Sequence, residues 1–235
     1  MNRRRLISEF VGTALLLVAI VGSGIATSVD GSASSQLFQH AVVVGAALAA
    51  LIFAFGPVSG AHLNPSVTVA DAVFGGLGRR MAVGYGAAQV GGALVGVALA
   101  NVMFGELVYE VATVVRAGTD MFVSEAVATF GLLVVIFGTV RFHVPRVVPV
   151  AVGAYITAAI FFTSSASFAN PAVTLGRMFT GTWTGIAPAG VGYFLGGQAL
   201  GTLLAISLVR YLYRPTAEQA AEVVLPHDGP INANG

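Results

Sequence analysis

The chain has 235 residues, of which 56% are apolar and only 9% charged, with 30 glycines, no cysteine and a mean hydropathy of +0.87. A soluble domain carries about a quarter charged residues to wet its surface, so this composition excludes a soluble or peripheral protein and places the chain in a lipid bilayer. The formal net charge of +1, with no basic cluster beyond Arg3 to Arg5, gives no footing for a nucleic-acid partner, and a chain without cysteine has neither disulfides nor thiolate metal sites.

Each crossing takes about 20 apolar residues. The first run, Leu6 to Val29, follows three arginines but exceeds a signal-peptide core and lacks a small-residue cleavage site, so it reads as a retained helix. Further spans are expected at Leu37 to Phe55, Met81 to Phe104, Phe122 to Val140, Val147 to Phe162 and Ala187 to Tyr213. From Arg214 onward, Pro, Glu, Asn, Asp and Gly dominate, a composition expected to remain a disordered tail over 214–235.

Six crossings put Arg3, Arg4, Arg5, Arg79, Arg80, Arg141, Arg146, Arg210 and Arg214 on one side, with only Arg116 and Arg177 opposite. Cytoplasmic loops hold the excess of arginine, so both termini are expected in the cytoplasm. The first outer loop, Asp30 to Ser32, and the third connection, with Glu106, Glu110 and Asp120, are correspondingly acidic or neutral.

Two stretches, Gly56 to Gly75 and Thr163 to Gly181, are moderately apolar but broken by Asn-Pro. Proline is tolerated in the first helical turn, where its missing N–H would lack a partner anyway. Each stretch reads as a loop followed by a short helix beginning at Pro65 or Pro171, about ten residues and about 15 Å long, half the hydrocarbon thickness.

The chain repeats itself. Ser8 to Gly22 aligns with Ser124 to Gly138, keeping Ser8/Ser124, Glu9/Glu125, Val11/Val127, Thr13/Thr129, the Leu-Leu-Val of Leu16 and Leu132, Ile20/Ile136 and Gly22/Gly138. Asn64-Pro65-Ser66-Val67-Thr68 then pairs with Asn170-Pro171-Ala172-Val173-Thr174, and Gln89 with Gln198. Each copy, about 6–104 and 122–213, contains three spans, so the second enters the membrane from the opposite side and the halves are inverted within one domain of 1–235. Interrupted helices at corresponding places of inverted repeats mark a site near the midplane. Irregular backbone at that depth must be buried or line a watery cavity; the loops before Asn64 and Asn170 therefore predict a pore.

An asparagine capping a half-helix has its oxygen engaged by backbone N–H groups, which leaves the NH₂ groups of Asn64 and Asn170 free to point into the lumen. Both half-helix N-termini would also meet there, each with about half a positive charge, disfavouring cations while neutral hydroxyl-bearing solutes pass. Glu9 and Glu125 are intramembrane carboxylates, which are candidates for proton coupling; their symmetric positions equally suit pinning a pore loop through backbone N–H bonds. Gly92 with Gly96, and Gly197 with Gly201, are spaced for close helix contacts.

Ser59-Gly60-Ala61-His62-Leu63-Asn64-Pro65 is very close to the first signature of the aquaporin, or major intrinsic protein, superfamily, and Asn170-Pro171-Ala172 matches the second. The resemblance runs from about Glu9 to Tyr211, with Ser66 in place of the more usual alanine. It implies an all-α membrane protein of six transmembrane helices and two re-entrant half-helices, assembled as a homotetramer with a pore in each protomer, and no enzyme or cofactor. It implies that Gly60, Ala61, His62, Ala166 and Phe168 belong to a ladder of carbonyl acceptors and that the two glutamates pin the loops; His62 as a gate is the alternative to His62 as a carbonyl donor to the wall.

In most members an arginine directly follows the second motif and forms, with aromatic residues, the narrow selectivity filter; here that position is Val173. The other filter positions carry over to Val44, Ser167 and a helix-five residue that is Ala158 by spacing from Asn170 or Ile160 by alignment of Gly153. Arg177, a turn beyond Val173, either swings back toward the mouth or binds loop carbonyls at the half-helix end; Asp71 occupies the matching place in the first half, giving each vestibule one charge. The expected activity is passive conduction of small neutral solutes by a multi-pass protein of the inner cell membrane. Water, glycerol, urea and undissociated metalloid hydroxides such as arsenous acid are the candidates, the last by likeness to the aquaporin-like channels of bacterial arsenic resistance. An ordinary water or glycerol facilitator and a proton-coupled transporter using Glu9 or Glu125 are the alternatives.

Overall fold

A computed structural model describes residues 2–28, 32–140 and 145–213. Arg141, Arg214, Asp30, Gly31 and the tail at 214–235, all used in the reading above, lie outside the described residues. The described chain forms α1 (Arg3–Thr27), α2 (Ala33–Ser59), α3 (Pro65–Phe74), α4 (Arg79–Met103), α5 (Thr119–Val140), α6 (Val148–Phe162), α7 (Pro171–Gly176) and α8 (Pro188–Leu212), with no strand among these residues. Five of the helices are long and apolar enough to cross a membrane unaided. The sixth crossing is α6, with 15 residues and a 3₁₀ turn at Pro145–Val147 leading into it.

Each half packs its first helix against its third. Gly92 and Gly96 of α4 sit against the carbonyls of Phe10 and Ala14 in α1, and Gly197 and Gly201 of α8 against those of Phe122 and Ala126 in α5. A Cβ at any of these glycines would collide with backbone, so the small residues set the helix separation. The halves meet where α2 crosses α6: a Cβ on Gly153 would meet the Gly45 carbonyl, and a Cβ on Gly45 the Gly153 carbonyl. The half-helices complete the exchange, α7 packing on α4 and α3 on α8.

Proline sits at the first turn of both half-helices, and Asn64 and Asn170 are their N-caps. Two differences from expectation stand out. The helix α2 continues four residues beyond Phe55, through Pro57 to Ser59. The second half-helix is shorter than ten residues: α7 has six, and a 3₁₀ turn at Arg177–Phe179 finishes it. Gly176 packs against Ala93 of α4, and beyond it the chain tightens into i→i+3 bonding, the common way for a helix to end.

Candidate functional site

The two pore loops have the same backbone. Gly60, Ala61 and Leu63 have positive φ in the first, as do Ala166, Ser167 and Ala169 at the equivalent places of the second. Non-glycine residues adopt this left-handed conformation at a cost of about 1–2 kcal/mol each, so something must hold them. Glu9 and Glu125 do so. Glu9 accepts from the Ser59 hydroxyl (2.6 Å), the backbone N–H groups of His62 (3.0 Å) and Leu63 (2.7 Å), and the Gln89 amide (2.8 Å). Glu125 accepts from Ser165 (2.6 Å), the N–H groups of Phe168 (2.9 Å) and Ala169 (2.8 Å), and Gln198 (2.6 Å). Both carboxylates are fully buried behind the loops and neither is part of the cavity wall.

The asparagines do more than cap. Asn64 Oδ1 accepts from Ser66 N–H (2.8 Å) and Asn170 Oδ1 from Ala172 N–H (2.9 Å) and Val173 N–H (3.3 Å). Their NH₂ groups are not wholly free, contrary to the sequence reading. Asn64 Nδ2 donates to the Ala169 carbonyl and Asn170 Nδ2 to the Leu63 carbonyl, each at 2.8 Å. One hydrogen of each amide is thus spent across the midplane, stitching the loops together, and one remains for the lumen.

A cavity runs past both asparagines. One wall is apolar and repeats itself: Val44, Leu48 and Ile52 at four-residue spacing on α2, and Val152, Ile156 and Ile160 on α6, with Leu16 and Ile20 of α1 mirrored by Leu132 and Ile136 of α5. The other wall consists of Ala61 to Asn64, then Ala166 to Phe168 with Asn170. Val44, Ile160, Ser167 and Val173 all line it. Ala158 does not: it lies exposed on the outside of α6, while Ile160 is buried against the cavity. Counting back from Asn170 misplaces the residue because the stretch from Gly153 to Ser165 is two residues shorter than that from Gly45 to Ser59. Gly60 is not in the wall either; it caps α2, its N–H donating to the Gly56 carbonyl.

The matching charges part company. Asp71 is no vestibule residue: it is fully buried, with its carboxylate 3.5 Å from His62 Nε2 and no hydrogen bond to either oxygen. Asp71 follows Thr68 by three residues on α3, so both face the His62 ring, whose Nδ1 lies 3.1 Å from Thr68 Oγ1 and which stacks edge-on against Tyr85. Arg177 is equally buried but lines the cavity. Its Nε donates to the Thr184 carbonyl and its guanidinium lies 3.5 Å from the centre of the Phe168 ring, so the two placements left open for it hold together.

A model of the major intrinsic protein family matches residues 1–167, more than half of the chain. The chain belongs to the major intrinsic protein family. It is 44% identical over 213 residues, 90% of this chain and 91% of the relative, to the aquaglyceroporin AqpS of Rhizobium meliloti (strain 1021). It is 34% identical over 202 residues, 83% and 73% of the two chains, to aquaporin NIP1-4 of Oryza sativa subsp. japonica. Its fold is that of the aquaglyceroporin of Plasmodium falciparum seen by X-ray crystallography, with a TM-score of 0.75 at 20% identity over 93% of this chain and 99% of that one. This member of the family is therefore a multi-pass membrane channel and not an enzyme.

Several working parts of the channel escaped the sequence reading. Gln89 and Gln198 were visible as a matched pair, but not as the amides that each bridge a pinning glutamate to a half-helix threonine, Thr68 (2.9 Å) or Thr174 (2.9 Å). His40, which lines the cavity near Val44, carried no signal; its Nδ1 is 2.8 Å from Ser23 Oγ and its ring stacks on Trp183. Arg116, read only for topology, ties the 104–118 connection down by donating to the carbonyls of Trp183 (2.8 Å) and Gly185 (3.1 Å). Burial pulls its guanidinium below the ordinary value against the opposing field of Glu125; an arginine so placed keeps its proton at neutral pH.

Proposed function

We propose that this channel passes small neutral solutes down their gradients through a wide filter formed by Val44, Ile160, Ser167 and Val173, with water as a co-permeant. The observation that carries the reading is Val173, buried in the cavity wall where most members of the family place an arginine. Three aliphatic side chains and one hydroxyl make a passage that selects by size more than by donor geometry. Solutes with several hydroxyl or amide groups can exchange water for the unpaired amide hydrogens of Asn64 and Asn170 and for loop carbonyls, while the apolar wall passes their carbon side. Glycerol, urea and undissociated metalloid hydroxides such as arsenous acid meet that description. The aquaglyceroporin relatives support it at the level of glycerol-like solutes.

The arginine bias supports cytoplasmic termini in a channel of the inner cell membrane, an orientation in which Val173 faces the outer half. Membership of the family supports a homotetramer; the apolar side chains on the outer faces of the helices, among them Val83, Leu203 and Phe38, suit contact with lipid as well as with neighbouring protomers. A proton-coupled transporter has less support, since Glu9 and Glu125 both lie behind the pore loops with four donors each.

Swelling of proteoliposomes in water, glycerol, urea and arsenous acid gradients, comparing wild type with Val173→Arg, tests this reading. Arginine should suppress the three larger solutes at least tenfold more than water. Wild-type flux of water alone, or equal fluxes before and after substitution, would overturn the wide filter. Saturable uptake driven by a pH gradient would favour the transporter instead.

A further inference from the structure

We infer that Arg177 is the charge-discriminating residue of this channel, holding one helical turn beyond Val173 the cation barrier that the filter itself lacks. The inference rests on the passive channel proposed above and adds a specificity-determining residue to it.

Among the described residues that line the cavity, Arg177 is the one with a permanent charge. No described carboxylate pairs with it. An unpaired guanidinium with only 3% of its residue surface exposed is costly, and such residues in membrane proteins face a cavity or a functional path. Two contacts fix it in place. The flat face rests on the Phe168 ring at 3.5 Å, a cation–π contact that replaces some of the lost hydration, and Nε is held by the Thr184 carbonyl. The two Nη groups make no hydrogen bond to the described residues, and the residue lines the cavity; the guanidinium of Arg116, outside the cavity lining, lies 5.8 Å from the centre of the same Phe168 ring. Ser167 Oγ, buried in the same wall, also lacks a partner among the described residues.

A fixed positive charge in a narrow, poorly hydrated passage repels cations strongly because screening there is weak. The free Nη donors meanwhile offer hydrogen bonds to the oxygens of neutral solutes. Moving the charge a turn outward leaves Val173 to set the bore. The channel thereby combines a wide filter with rejection of cations, two properties that a single arginine at 173 would force into competition.

A purely structural Arg177, holding the 180–186 segment through Thr184, would leave charge selectivity untouched when substituted. The probes are therefore urea, guanidinium and nitrate, planar and close in size but neutral, cationic and anionic. In proteoliposomes the wild type should pass urea and exclude guanidinium. Arg177→Gln should raise the guanidinium-to-urea flux ratio at least tenfold, lower nitrate entry, and leave urea flux within threefold. Adding Val173→Arg to Arg177→Gln should restore exclusion and slow urea.

Arg177→Lys gives a second, titratable arm: buried on the Phe168 ring that Arg116 also faces, its ammonium should lose its proton below the ordinary lysine value, so the variant should exclude guanidinium at low pH and admit it as pH rises, while wild type stays tight. An unchanged ratio in Arg177→Gln with urea still passing, a leak through wild type, or an Arg177→Lys indifferent to pH would overturn the inference. If wild type passes no urea, it is the wide filter that fails, and the sodium-to-water ratio in the same variants reads the charge barrier.

Discussion

Replacing Glu125 by glutamine changes one atom and tests how the second pore loop is held. The carboxylate accepts four hydrogen bonds, two on each oxygen: Ser165 and Phe168 N–H on Oε1, Ala169 N–H and Gln198 on Oε2. An amide has a donor on one side whichever way it is placed. On the first side Ser165 can turn its hydroxyl to accept, but the Phe168 N–H then faces another donor. On the second side Gln198 can flip, since its Oε1 has no partner, at the cost of the bond its amide donates to Thr174, but the Ala169 N–H is left in the same position. Either way one buried backbone N–H is orphaned, at about 1–3 kcal/mol, and three charge-assisted bonds become neutral ones, at about 1 kcal/mol each. No longer burying a charge relieves part of this, so a net loss of about 3 kcal/mol is expected, or roughly 6–12 °C in melting temperature. The fluorescence of the one tryptophan, Trp183, packed beside His40, reports unfolding of the detergent-purified protein. Solute flux should fall with it, because Ala166, Ser167 and Ala169 would no longer be held at positive φ. Glu9→Gln should behave alike. A Glu125→Gln channel that melts within about 2 °C of wild type and conducts normally would refute the pinning role.

Two further substitutions probe contrasting surroundings. Asp71→Asn removes a carboxylate that accepts no hydrogen bond; the melting temperature should hold or rise, and a fall as large as that of Glu125→Gln would contradict the difference drawn between these acids. Gly92→Ala drives a methyl into the Phe10 carbonyl of α1, whereas Gly86→Ala on the same helix meets nothing within 4 Å. The first should destabilise by about 1–3 kcal/mol and the second should be neutral or slightly stabilising through helix propensity, both read from the same melting curves.

What the sequence made legible was whatever interrupted an apolar run. Asn64-Pro65, Asn170-Pro171, Glu9 and Glu125 stand out because nothing else in their segments is polar and conformationally decisive, and their recurrence in order yields an inverted six-span architecture. What it hid depended on distances between segments far apart in the chain. The cross-midplane bonds of Asn64 and Asn170 need the carbonyls of Ala169 and Leu63, which arrive only because three residues of each pore loop adopt positive φ. His40 becomes visible only once Trp183 and Ser23 surround it. The fate of Asp71 and Arg177 was hidden for a local reason: a continued α-helix beyond Gly176 would treat them alike, and α7 does not continue.

That divergence is where the two halves stop being equivalent. The pinning glutamates, bridging glutamines, capping asparagines and left-handed loops are duplicated almost atom for atom, so the frame of the pore is indifferent to which half a residue belongs to. Asp71 lies inside a regular half-helix and turns inward onto His62, where it is shielded from the cavity. Arg177 follows a half-helix four residues shorter, on a 3₁₀ turn that sets its guanidinium over Phe168 and against the open passage. A frame held by duplicated contacts leaves the residues after each Asn-Pro motif free to differ, and with the shortening of α7 that freedom yields a charged wall residue that has no counterpart among the described cavity-lining residues of the first half. On this argument, selectivity can be moved along the second half-helix without loss of the fold, which is why Val173 and Arg177 are the positions at which the solute range and the charge barrier can be separated by substitution.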